Sequence, residues 1–258
     1  MNPRHQPPDR EAFALDGFTV VREIVTAHEV AALRTIIDDF IVTGIEPTRQ
    51  VLYTHAEPAE SRPAMTRIMH QWLNPHRRVP ETLVSALSAA RSLASAILGE
   101  PPVLFQDVLL DKRAGHAAFP WHQDMPYWPV DRQDGIIVWV ALDPVDAAAG
   151  GVHVLRHSHQ QGEGPPIDLH TGSPQSGGQP IECPMDGEIL CPILAPGDAL
   201  VFHTLTWHCS PPRDSAGSRR AWASSWLSRG TRWNIGRAPR HPLASLVADG
   251  SEVTEWRR

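Results

Sequence analysis

The sequence predicts a mainly β protein, an antiparallel sandwich or barrel with helices packed on one face. Two observations carry this. Through the second half, "VLFQDVLLD", "GIIVWVALD", "GVHVLRHS", "GEILCPIL", "DALVFHTL" and "RRAWASSWL" are short segments rich in β-branched and aromatic residues, separated by Gly, Pro and Asp turns. That spacing is the pattern of antiparallel sheets closing on themselves. The first half instead holds two stretches with helical periodicity.

In "VTAHEVAALRTIIDDFIVTG", Thr26 and Glu29 form a capping box, apolar residues recur at Val30, Leu33, Ile37 and Ile41, and Gly44 stops the helix. In "PETLVSALSAARSLASAILGEPP", Leu83, Leu87, Leu93 and Ile97 share a face, with Gly99 and the prolines as terminators. Both helices need a flat apolar partner, which the sheets supply. From Ser158 to Pro184 the chain is rich in Gly, Pro, Ser and Gln, too polar for core, and reads as a long functional loop or lid. With no internal repeat and no dividing linker, one domain is expected.

Composition narrows the function. A chain of 258 residues with 41% hydrophobic and 20% charged residues is ordinary for a globular protein. No apolar run approaches the length of a spanning helix, and the opening "MNPRHQPPDREAF" lacks the apolar stretch of a secretion signal, so a cytoplasmic location is expected. A net charge of −6 without a basic block argues against nucleic acid as the main partner. Cys183, Cys191 and Cys209 lack the number and pairing of a disulfide framework or zinc knuckle and read as reduced thiols. Lys112 is the only lysine; the bias to arginine reads as the mark of a GC-rich genome.

The segment "PWHQDMPYWPV" carries the chemistry. On an extended strand residues i and i+2 share a face, so His122 and Asp124 would project together while Gln123 points away. An imidazole and a carboxylate presented together suit a divalent metal, and one more histidine completes the 2-His-1-carboxylate triad of non-haem Fe(II) oxygenases. Alone, an H-x-D pair is weak. Downstream, "APGDALVFHTLTWHCSPPRDSAGSRRAWASSWL" gives a tight turn, a strand, His208, a polar loop and Arg219 eleven residues after His208.

Together these segments resemble the phytanoyl-CoA dioxygenase family of Fe(II)- and 2-oxoglutarate-dependent oxygenases. "LDGFTVVREIVTAHEVAALR" is similar to the family's first strand and helix, "FPWHQDMPYWP" to its H-x-D segment, and "GDALVFHTLTWHCS" followed by Arg219 to its distal histidine and arginine. The resemblance implies a double-stranded β-helix core, a cupin-like jelly roll, over about 101–230. An N-terminal helical part of about 1–100 would pack on one sheet, with a C-terminal tail over 231–258. It implies that His122, Asp124 and His208 hold Fe(II), and that Arg219 and Ser210 bind the C5 carboxylate of 2-oxoglutarate. Trp139 and Gln106 would lie near that cosubstrate. Two imidazoles and one carboxylate leave three coordination positions for the 2-oxo acid and O2. An arginine fork holds a carboxylate bidentately.

Several neighbours compete for these roles. His203 shares a strand with His208, and Arg220 replaces Arg219 if the register moves by one. His153, His157 and His159 suggest a metal cluster or a structural rim. Tyr127 and Trp128 read as pocket walls that touch substrate and exclude water, or as plain core. Asp124 fills a position that related halogenases leave without a carboxylate, which favours hydroxylation-type chemistry. The expected substrate is a small molecule, such as a natural-product intermediate; the Arg-rich tail "SRGTRWNIGRAPRHP" could still bind an anionic group. The sequence sets no oligomeric state.

Overall fold

Helix α2 (Ala27–Val42) starts as its sequence dictates: Thr26 Oγ1 accepts from the Glu29 amide at 3.2 Å and the Glu29 carboxylate accepts from the Thr26 amide at 2.6 Å. The computed structural model describes residues 8–45, 69–169, 171–213 and 216–254. The first residues of the expected helical part, His170 of the long loop and the end of the tail lie outside the described residues. Ahead of α2 come α1 (Arg10–Asp16) and β1 (Phe18–Val21); after it come β2 (His70–Leu73) and α3 (Pro80–Leu98), closed by Gly99 in the left-handed region.

The strands β3 (Val103–Arg113), β4 (Phe119–His122), β5 (Ile136–Ala141), β6 (His153–Leu155), β7 (Ile189–Leu190), β8 (Ala199–His203), β9 (His208–Ser210) and β10 (Ser218–Leu227) complete the fold. They form two antiparallel sheets, ordered β1-β8-β5-β10-β3-β2 and β4-β9-β6-β7, the jelly-roll arrangement expected from the sequence. The predicted strand segments all contain a strand, whereas α1, β2, β4 and β9 are too short to announce themselves by periodicity.

Alternation along the large sheet makes two cores. Outward residues such as Leu109, Val138, Val201, Trp222 and Trp226 pack under α2 and α3 with Leu33, Ile37 and Leu83. Inward residues face the small sheet, and Trp233, Leu243 and Val253 of the tail close that interior. The tail therefore plugs the sandwich.

One irregularity shapes the interior. Between β3 and β10 the register shifts at Ser225/Trp226: Ser225 opposes Gln106, but Trp226 opposes Leu104. The extra residue is Phe105, so Phe105 and Gln106 both reach the interior side. Strict alternation would have sent one of them out.

Candidate active site and family

His122 closes β4, and the chain then turns. Asp124 has helical backbone angles (φ −77°, ψ −35°) at the start of a single 3-10 turn, Met125–Tyr127. The expected placement of His122 and Asp124 on one extended strand is therefore corrected: they meet because the chain bends after the strand, with the Asp124 and Met125 amides both donating to Thr204 O. Gln123 does not point to solvent either. It is buried, and its amide nitrogen donates to Gly162 O and Leu205 O.

His208 lies opposite His122 in the β4–β9 ladder, with ring centroids 4.1 Å apart. Each ring is oriented by its own backbone: His122 Nδ1 lies 2.8 Å from Pro120 O, and His208 Nδ1 lies 2.9 Å from Thr206 O. A carbonyl can only accept, so Nδ1 carries the proton and Nε2 keeps its lone pair. Both Nε2 atoms face Asp124, at 3.8 Å and 3.9 Å from its two oxygens. Ligand atoms of His122, Asp124 and His208 all lie within 4.8 Å of one another, and no other such group occurs among the described residues.

Burial, then the neighbouring His208, hold the His122 pKa well below its ordinary value, and burial raises that of Asp124. Two imidazoles and a half-buried carboxylate converge on one point. A divalent cation would satisfy all three, so the residues present fit an iron ion.

The cavity runs from this point in two directions. At one end Arg219, 1% exposed, points inward, with its guanidinium carbon 5.2 Å from the Trp139 ring centroid and Nη2 donating to Ser210 Oγ at 3.2 Å. Its Nε is buried with no partner. Arg220 faces the other way and pairs with Asp143 and Asp38, so the register question resolves to Arg219. Lys112, opposite Arg219 in the ladder, is 0% exposed and donates to Ser210 O at 2.8 Å and Oγ at 3.2 Å. Burial, then Arg219, lowers the Lys112 pKa to about 7; burial lowers that of Arg219 to about 10.

Sequence reasoning passed over Lys112. The available signal was its being the lone lysine in an arginine-biased chain, here carried on the inward face of β3.

At the other end lie Gln106, Ser225 opposite it in the ladder, and Trp128, which packs on Phe105; Gln71, opposite Leu110, and Leu169 also line the cavity. Gln106 is six residues along β3 from Lys112, roughly 20 Å at 3.4 Å per residue, so it stands away from the buried cations. Its Oε1 is buried without a partner. Trp128 packs on Phe105 at 4.7 Å with the rings tilted, while Tyr127 also lines the cavity and its hydroxyl donates to Ile167 O.

His203 lies off the convergence point. Its ring packs on His159 at 5.5 Å, and Nδ1 accepts from the Leu205 amide. His157 and His159 bond the carbonyls of Leu15 and Ala14, and His153 that of Gly151, so these three take structural positions.

The family model described as phytanoyl-CoA dioxygenase (PhyH) matches residues 13–221. This chain belongs to the phytanoyl-CoA dioxygenase family. It is a non-haem Fe(II)- and 2-oxoglutarate-dependent dioxygenase, with O2 as the oxidant. Methylphosphonate hydroxylase of Gimesia maris is 24% identical over 205 residues, covering 79% of this chain and 74% of that protein. Among solved structures, EvdO2 from Micromonospora carbonacea var. aurantiaca, also known complexed with 2-oxoglutarate, superposes with a TM-score of 0.67 at 26% identity, over 85% of this chain and 89% of that one. The carbocyclase SnoK from nogalamycin biosynthesis shares the fold, with a TM-score of 0.75 at 16% identity over 96% and 92%. No helix among the described residues is long and apolar enough to cross a membrane.

Proposed function

We propose that this dioxygenase hydroxylates an unactivated C–H bond of a small molecule, such as a natural-product intermediate, with release of succinate and CO2. Fe(II) would be held by His122, Asp124 and His208, and the 2-oxoglutarate C5 carboxylate by Arg219, Lys112 and Ser210. The observation that carries this reading is the pairing of a two-imidazole, one-carboxylate convergence with Arg219 and Ser210 in the same cavity and Lys112 buried against Ser210. A dicarboxylate that chelates at one end and is anionic at the other spans both. When bound, iron and 2-oxoglutarate supply the oxidising power for C–H functionalisation.

The chain's own residues orient and exclude. Pro120 O and Thr206 O fix the imidazole tautomers, and Trp139 walls the cosubstrate end. Trp128 keeps the opposite end apolar beside Gln106, which this reading moves from cosubstrate to substrate. The hydroxylase name of the Gimesia maris relative supports hydroxylation as the outcome.

The test is an anaerobic titration of apoprotein with Fe(II) and then 2-oxoglutarate, followed by screening a small-molecule panel for stimulated succinate release. A visible charge-transfer band that needs both additions is expected. Its absence from folded protein would overturn the site assignment.

Lys112 adds a pH dependence. Its folded pKa of about 7 lies below the ordinary 10.5, so between these values the unfolded chain binds more protons and cosubstrate-free stability rises with pH. A carboxylate beside it favours the charged form, so cosubstrate binding above pH 7 takes up a proton. Affinity for 2-oxoglutarate is expected to weaken as pH rises through about 7, by at most about tenfold per unit. Calorimetry in buffers of different ionisation enthalpy checks the proton uptake, which Lys112→Met should remove.

A further inference from the structure

The residues flanking Asp124 fasten a loop that the sequence left without a role. Gln123 Nε2 donates to Gly162 O at 3.0 Å, and Gln123 Oε1 accepts from the Gly164 amide at 2.6 Å. Three positions beyond Asp124, one hydroxyl engages both backbone groups of one residue: Tyr127 Oη donates to Ile167 O at 2.7 Å and accepts from Ile167 N at 2.8 Å. All four contacts are to backbone, so they read the loop's path and not its side chains. Gly164 is pressed so close to Trp207 that a Cβ there would lie 2.5 Å from the indole.

Between these attachments and the cavity the loop changes sides. Ile167, 1% exposed, packs with Trp121, Leu155 and Trp207 in a small separate core. Two residues on, Leu169 joins the sandwich interior and lines the cavity with Trp128 and Gln106. A shift of Ile167 is therefore a shift of Leu169. Ile167 bridges Pro174, and the Asp168 amide donates to Ser173 O, so the stretch moves as one tight turn.

We infer that Tyr127 is a positioning residue for substrate: by clasping both backbone groups of Ile167, it sets where Leu169 stands and so shapes the cavity wall against which substrate is held. This rests on the proposed function for the use of that cavity. Tyr127 lines the cavity as the sequence suggested, and the clasp adds an effect transmitted through the loop. The ring of Tyr127 also lies edge-on to His122, with centroids 6.5 Å apart, so the loop wall and the metal-facing imidazole share one support.

Tyr127→Phe keeps the ring and deletes only the clasp. In full-length protein loaded anaerobically with Fe(II) and 2-oxoglutarate, amide hydrogen exchange over residues 162–169 is expected to rise at least about fivefold, the scale of losing one or two hydrogen bonds. With the best compound from the succinate-release panel, KM should rise at least about fivefold and more than kcat falls. Leu169→Ala should reproduce that KM change, and the double variant should be no worse than the larger single effect, as expected when two residues act through one wall.

Unchanged exchange in Tyr127→Phe would overturn the inference, and so would a loss confined to kcat or additive KM effects. If wild-type protein forms no iron and 2-oxoglutarate band, the functional reading fails, whereas the exchange comparison still decides whether the clasp exists.

Discussion

Asp124→Asn is expected to reduce succinate release at least about a hundredfold, since altering groups that merely support metal ligands already costs 10–100-fold. The amide keeps the size of the carboxylate but not its charge, and the iron position would be left with two neutral imidazoles. Without metal, the native carboxylate stands near His122 and His208, 26% exposed, with partial burial opposing its charge. The metal-free variant should therefore melt at the same temperature as wild type or higher. Loss of activity with loss of stability would instead mean that Asp124 serves the fold. Iron-dependent thermal shift and succinate assays on the same preparations separate the two.

Arg219→Met is expected to weaken 2-oxoglutarate binding on the order of a hundredfold to a thousandfold, the cost of removing one member of a buried ion pair. Methionine fills the space along the arginine stem beside Trp139, so a packing void contributes little. The cosubstrate-free variant again should not be destabilised. It loses a guanidinium that is 1% exposed and whose Nε has no partner, a group whose burial is costly until an anion arrives. Lys112 stays beside Ser210, so residual affinity should keep its dependence on pH. The checks are the charge-transfer titration at increasing 2-oxoglutarate and the melting temperature with and without it. Unaltered affinity would move the cosubstrate carboxylate elsewhere.

Much of the fold and the site was legible because it rests on local chemistry. Capping at Thr26 and Glu29, the Gly99 stop and the β-rich segments each follow from a few adjacent residues. His122 and Asp124 stood out by their spacing, and the roles of His208 and Arg219 came from the family resemblance; the structure brings the first three together and points Arg219 into the same cavity. What stayed hidden depends on partners distant in sequence. Tyr127 was legible as a wall, but its clasp was not, because the partner is the backbone of Ile167, 40 residues on, in a stretch without periodicity. Lys112 looked like an accident of composition because its surroundings are made by β9 and β10, about 100 residues later. Asp124 was placed on a strand because alternation says nothing about where a four-residue strand ends.

The extra residue at Phe105 uncouples the start of β3 from the ladder that carries Gln106 and Lys112. Strand pairing locks position 112 opposite 219, so the cosubstrate end inherits its alignment from an unbroken ladder. Beyond the shift at Ser225/Trp226 that ladder runs in a different frame, and residues 103–105 can change size or gain a residue without rotating the ladder from Gln106 to Arg113. A scaffold built this way can acquire new substrates by remodelling one end of a strand while the chemistry at its other end stays in register.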